Sequence, residues 1–259
     1  MAAEASEKKT RSQSVQRGLD VLTCFLQGDP VLGVTELAMR TRLPKTIVHR
    51  LVTTLAVNGF LERDTSSAKY RVGPMAFRVG ACFLRGRRLE TEALLIMRKV
   101  VEKCGLPSHL AILHGDEGII VAMVDNPLPV KVTVHLGARR DLHATAIGKA
   151  MLAFQPPEET RAILRRITLV RRTSHTITSR RALLEELEQV RRQGYAFNNQ
   201  EANLGVQAIA APIFAADGSV RAALGIPFPV AIVPPAEIKR LADLAMEGAK
   251  EVSARLGGG

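Results

Sequence analysis

Cysteine is scarce in this 259-residue chain: Cys24, Cys82 and Cys104 are all there is. An odd number at such wide spacing excludes a disulfide framework and offers no clustered zinc site, so a reducing compartment, the cytoplasm, is the expected location. Long apolar runs are missing too. The longest uncharged stretches, Ala202 to Ala216 and Ala222 to Ala236, are shorter than the roughly 20 residues a membrane helix needs, and the second holds Pro227, Pro229, Pro234 and Pro235. The opening MAAEASEKKTRSQS is polar and has no signal-peptide core. Residues 1–12 are expected to be a disordered tail, and no membrane partner is expected.

Catalytic signatures are equally lacking. AIGKA at 146–150 has the outline of a phosphate loop, but that loop needs Gly where His143 stands and Ser or Thr where Ala150 stands. No Gly-x-Ser-x-Gly elbow occurs, and Ser108-His109 beside His114 and Asp116 alternates at strand spacing without a nucleophile environment, reading as ordinary strand. His109, His114, His135, His143 and His175 show neither HxxxH nor HExxH spacing, which leaves a metal only to tertiary convergence. The expectation is no cofactor, no metal and no catalysis. An enzyme acting on a small carboxylic acid, with an N-terminal docking module, is the rival reading; the lack of an acid–base pair stands against it. A DNA binder without a ligand is a third.

What the chain does have is 46% hydrophobic and 24% charged residues, enough for two packed cores. Its net charge of +11 is uneven. Up to Glu90 there are 15 Lys and Arg against 8 Asp and Glu, while the remaining 169 residues hold 21 against 17. A basic N-terminal segment suits phosphate binding, because each cation near a phosphate releases condensed counterions, although a merely solvated basic surface has the same composition.

Within that segment Ser14 can cap a helix bearing Val15, Leu19, Val21, Leu22, Phe25 and Leu26, which ends at Gly28-Asp29-Pro30. Thr35 precedes a second short helix, Glu36 to Arg40, and Thr41-Arg42-Leu43 forms a tight connection. Pro44 suits the first turn of a third helix, in which Ile47, Leu51 and Leu55 recur every fourth residue until Asn58-Gly59. The opposite face carries Lys45, Thr46, His49, Arg50 and Thr53, with no acid among them. Phe60 to Arg63 and Lys69 to Val72 can pair as strands around Asp64 to Ala68. Two helices on a short turn, the second with a basic outer face, followed by a hairpin, form a winged helix-turn-helix over 13–73 that places a recognition helix in the major groove. Thr35, Lys45, Thr46, His49, Arg50, Thr53, Lys69 and Arg71 are the candidate DNA contacts.

These residues also carry a resemblance. SVQRGLDVL, VTELAMRTRLPKTIVHRLVTTLAVNGFLER and KYRVG, continued by LHATAIGKAMLAF, Thr176 to Ser179, RRQGYAFNNQE, GVQAIAAPIF and DGSVRAALGI, resemble the isocitrate-lyase-regulator (IclR) family of bacterial regulators over residues 13 to 256. The resemblance implies a winged helix, a linker helix and a C-terminal GAF-like α/β effector domain. It also implies a dimer or tetramer on a pseudo-palindromic operator in double-stranded DNA.

The rest of the chain supports an α+β fold on its own terms. Pro74 to Leu84 reads as a connecting helix and Arg85 to Arg88 as a hinge, giving a linker over 74–90 and an effector domain over 91–256. A helix is expected over Thr91 to Cys104, and three antiparallel strands over Ser108 to Leu113, Gly118 to Val124 and Val130 to Leu136. Further helices are expected at Thr145 to Phe154, Pro157 to Arg165, Arg181 to Gln193 and Pro235 to Leu256. Strands are expected at Tyr195 to Asn198, Val206 to Phe214 and Val220 to Ile226. The small-residue segment around Ala146, Ile147 and Gly148 allows either close helix-to-strand packing or approach of a ligand to the backbone. The resemblance implies an effector pocket lined by this segment and by the positions of Asn198, Ala208, Gly225 and Pro227. Where family members place an acid this chain has Asn198, and where they often place Cys and two Ser it has Ala208, Gly225 and Pro227. Losing hydroxyls points to a bulkier, partly apolar effector, an aromatic or medium-sized carboxylate.

Overall fold

The structure is a computed structural model that describes residues 12–26, 29–84, 88–126, 132 and 134–257. It comprises two compact units, the first ending with the helix Pro74–Leu84 and the second beginning with the helix Arg88–Cys104. The expected tail, apart from Ser12, and most of the hinge, 85–87, lie outside the described residues.

In the first unit, α1 (Gln13–Thr23), α2 (Val34–Thr41) and α3 (Lys45–Val57) precede a hairpin of β1 (Leu61–Arg63) and β2 (Tyr70–Val72), and α4 (Pro74–Leu84) follows. Val21, Leu32, Leu37, Val48, Val52, Leu61 and Tyr70 are buried in one core. Ser12, not Ser14, stands at the head of α1, and its side chain makes no cap hydrogen bond. Gly33 is the N-cap of α2, and its amide is held by the Glu36 carboxylate at 2.6 Å. Thr35 therefore lies inside the helix with its side chain exposed. The α3 row is corrected as well: Val48 and Val52 are buried, while Ile47, Leu51 and Leu55 are half-buried and face an apolar groove shared with Leu19 and Leu22 of α1. The reason is geometric, since the small core sees only one side of α3 and the every-fourth-residue row turns toward α1 instead. Leu32 pairs with Tyr70 through both backbone bonds, 2.8 and 2.9 Å, tying the hairpin to the approach of α2.

The second unit opens with α5 (Arg88–Cys104) and holds a six-stranded antiparallel sheet. Its strands are β3 (Ser108–His114), β4 (Glu117–Val124), β5 (Arg139–Arg140), β6 (Ala196–Asn199), β7 (Val206–Phe214) and β8 (Val220–Pro229), in the order β5-β4-β3-β8-β7-β6. On one face Ile96, Met97 and Val100 of α5 pack with Leu241, Ala245 and Val252 of α9 (Ile238–Arg255). On the other, α6 (Ala146–Ala153), α7 (Pro157–Arg166) and α8 (Arg180–Gln193) contribute Met151, Ile163 and Leu187. Sheet faces clad by helices on both sides account for the long apolar runs in β7 and β8. The described residues of the strand expected over 130–136, namely 132 and 134–136, are not strand, and 130, 131 and 133 lie outside the described residues. The sheet is instead bounded on that side by the two-residue β5, paired with Gly118 and Ile119. No helix among the described residues is long and apolar enough to cross a membrane.

Candidate functional site

The first unit presents the outer face of α3 to solvent. Lys45, Thr46, His49, Arg50 and Thr53 are all exposed, because the face they occupy is opposite the one that buries Val48 and Val52. The Thr53 hydroxyl bonds back to the His49 carbonyl at 2.8 Å. At the wing, Arg71 faces Glu62 across the ladder and bonds it at 3.1 Å, and Lys69 lies 3.5 Å from Glu36. These two basic residues therefore carry local counter-charges. The hairpin turn is set by Asp64, whose carboxylate accepts bonds from Ser66 N (2.8 Å) and Ser66 Oγ (2.6 Å), which hold its pKa down to about 2. Arg42, in the connection before α3, adopts the left-handed conformation, φ 55°, and is exposed.

The second unit contains a cavity of about 110 Å³ between the sheet and the start of α6. Strand register makes it. His109 of β3 stands opposite Gly225 of β8, which stands opposite Ala210 of β7. Pro227 stands opposite Ala208, which stands opposite Asn198 of β6. Residues paired across strands share a face, and i and i+2 share it as well, so both rows look toward α6. A Cβ added at Gly225 would reach Ile147 of α6 at 3.7 Å, so that glycine leaves open space between sheet and helix. Ala146, Ile147, Asn198, Ala208, Gly225 and Pro227 all border this cavity. Gly148 does not; a Cβ there would lie 2.5 Å from Leu142 Cα, so its smallness serves close packing.

Asn198 is committed within the protein. Its amide nitrogen donates to the Ala144 carbonyl at 2.9 Å and its oxygen accepts from Glu201 N at 2.9 Å, so it joins the α6 approach to the β6–β7 loop. That loop is further held by Lys149, only 1% exposed, whose Nζ donates to Glu186 (2.7 Å), Glu201 (2.8 Å) and the Phe197 carbonyl (2.6 Å). Thr176 Oγ1 adds a bond to the Glu201 carbonyl at 2.7 Å. A buried ammonium is tolerable only with such partners. Thr145 is the N-cap of α6: its hydroxyl donates to the Asp141 carbonyl at 2.7 Å and accepts from Gly148 N at 3.1 Å.

Two residues at the cavity wall escaped the sequence reading. His109, taken as an ordinary strand residue, is 3% exposed and its Nε2 has no hydrogen-bond partner among the described residues. Burial first, and Arg140 second, push its pKa down to about 4. Arg140, on β5, also lines the cavity. Neither carries a motif; only the tertiary fold brings them to one cavity. Among the described residues no group of His, Cys, Asp and Glu could hold a metal ion.

Comparison with known proteins settles the family. Residues 14–65 match the "IclR helix-turn-helix domain" and residues 82–254 match "Bacterial transcriptional regulator IclR C-terminal". The chain belongs to the IclR family. It is similar to the HTH-type transcriptional regulator BhcR of Paracoccus denitrificans, 34% identical over 93% of this chain and 86% of that one. It is also similar to the transcriptional repressor IclR of Escherichia coli, 32% identical over 95% and 90%. The crystal structure of an IclR homolog complexed with 4-hydroxybenzoate, from Microbacterium hydrocarbonoxydans, superposes with a TM-score of 0.80 at 26% identity, covering 94% of this chain and 99% of that one. This IclR-family protein is a DNA-binding transcriptional regulator, with a helix-turn-helix unit and an effector-binding C-terminal unit, and not an enzyme.

Proposed function

We propose that the protein binds a pseudo-palindromic operator in cytoplasmic double-stranded DNA as a dimer or tetramer. In this reading α3 enters the major groove, the β1–β2 hairpin lies on the phosphate backbone, and Thr35, Lys45, Thr46, His49, Arg50, Thr53, Lys69 and Arg71 make the contacts. The observation that carries it is the outer face of α3, where two cations, a histidine and two threonines are exposed together with no acid among them. One recognition helix spans about half of a palindromic site, so two copies are needed. Exposed Val15 and Leu19 on α1, 61% and 51%, support self-association. The C-terminal cavity takes an organic acid of aromatic or medium size, in contact with Ala146, Ile147, Ala208, Gly225 and Pro227. The 4-hydroxybenzoate held by the Microbacterium homolog supports this class, as does a cavity bordered by many apolar residues.

One experiment tests both halves: fluorescence-anisotropy titration of the duplex upstream of the protein's own gene, with and without 4-hydroxybenzoate and related acids. Arg50→Ala is expected to weaken operator binding by about tenfold or more, as losing a groove contact does, while leaving acid binding intact. Gly225→Leu, which fills the cavity, is expected to abolish the acid response and spare operator affinity. Unchanged operator affinity in a folded Arg50→Ala protein overturns the placement of α3.

A further inference from the structure

We propose that Arg140 is the charge partner of the effector's acid group and that His109 hydrogen-bonds a second, uncharged oxygen of the same molecule. The ligand is then a hydroxy- or oxo-carboxylic acid. This inference rests on the reading of the cavity as the effector site and names what that site recognises.

The argument is one of unanswered polar groups. Of the polar side chains around the cavity, Thr145 spends its hydroxyl on Asp141 and Gly148, Asn198 spends its amide on Ala144 and Glu201, and Asn203 is exposed at the rim, where solvent answers its amide. Arg140 and His109 remain. No acidic side chain lines the cavity, which leaves Arg140 as its one charge among the described residues. The nearest acid in sequence, Asp141, is taken: Arg172 grips both of its oxygens, at 2.7 and 3.1 Å. Residues 127–133, which lead toward β5, include no acid. Burial lowers the Arg140 pKa from its ordinary value, with Asp141 opposing, so the guanidinium is partly stripped of water. A desolvated cation with no carboxylate in hydrogen-bond contact is costly, and a carboxylate delivered by a ligand relieves that cost through paired, charge-assisted hydrogen bonds.

His109 supplies the second requirement. Its Nε2 is buried at the same cavity with no partner among the described residues, an arrangement that native structures rarely leave unanswered. The ring is neutral at pH 7, so Nε2 either donates to a carbonyl oxygen or accepts from a hydroxyl and does not compete with Arg140 for the acid. The cavity wall also includes Ile147, Val206, Ile209 and Pro227, which suits a compact apolar body.

The test is calorimetric titration of the full-length protein with pyruvate, glycolate, benzoate and 3-hydroxybenzoate, each beside its carboxamide. The acids are expected to bind more tightly than the amides. Arg140→Met is expected to weaken the tightest acid at least tenfold, to leave amide affinity within twofold, and to melt no lower than the parent. His109→Leu is expected to erase the preference for 3-hydroxybenzoate over benzoate while retaining the preference for acid over amide. The anchor is overturned if no acid outbinds its amide, if Arg140→Met leaves acid affinity within twofold, or if that variant melts lower, which would reveal a structural partner. Gly225→Leu separates the two readings. Acid binding that it abolishes but Arg140→Met does not touch keeps the cavity and removes the anchor; acid binding that survives both substitutions removes the cavity reading too.

Discussion

His109 lies in a strand between Gly225 on one side and Met123 on the other, and its ring is covered on nearly all sides. Burial is the largest cause of its low pKa of about 4, Arg140 adds to it, and Asp125 opposes both. In the unfolded chain a histidine titrates near 6.5, so between about 6.5 and 4 the unfolded state binds more protons than the folded one. Stability is then fully present above 6.5 and falls as the pH drops toward 4. The melting temperature of the C-terminal unit is expected to decline across that window, and His109→Leu is expected to flatten the decline. An NMR titration of the His109 ring with a midpoint at 6 or above would contradict the burial account. At this scale the sequence was informative where a side chain's exposure follows from helix periodicity, as for Lys45, His49 and Arg50. It was silent where a role depends on unrelated segments meeting, as for His109, Arg140 and Lys149.

Helix α6 is held against the segment before it by the absence of a side chain. A Cβ at Gly148 would sit 2.5 Å from Leu142 Cα, 2.6 Å from Leu142 O and 2.7 Å from Asp141 O, all backbone atoms that cannot swing away. Gly148→Ala is therefore expected to destabilise the second unit by about 1–3 kcal/mol, the usual range for overpacking, measured by urea unfolding. It is also expected to weaken ligand binding at the cavity, because Ala146 and Ile147 move with the helix start. A stability within 0.5 kcal/mol of the parent, the roughly neutral range for surface changes, would show that α6 is free to retreat. Most elements were legible because their patterns are local. β7 spans the expected Val206–Phe214, and the linker helix the expected Pro74–Leu84. Failures came where neighbours outvote local pattern: the apolar run before β5 does not form a strand over its described residues, and the α3 row faces α1 because the core lies to one side.

Across the whole molecule, the proposed regulation requires the two units to share a free energy. An effector that changes operator affinity by some factor must itself bind the operator complex with affinity changed by the same factor, commonly 5- to 150-fold. Calorimetric titration of the effector acid into the free protein and into its operator complex is expected to return different affinities in that range. Equal affinities would mean that the cavity and the recognition helix are uncoupled. The chain order of residues was enough to establish a helix-turn-helix with a basic outer face, an α+β second unit and membership of a regulator family. Those properties reside in short-range periodicity, capping and motif order, which survive without knowing what packs on what. Which groups line the cavity, and which of them go unanswered, was decided only by the sheet. Strand register aligns His109 with Gly225, the fold brings Arg140, 31 residues further along the chain, to the wall of the same cavity, and Arg172 grips the acid next to it in sequence. Cross-strand pairing is long-range, and no local pattern records it.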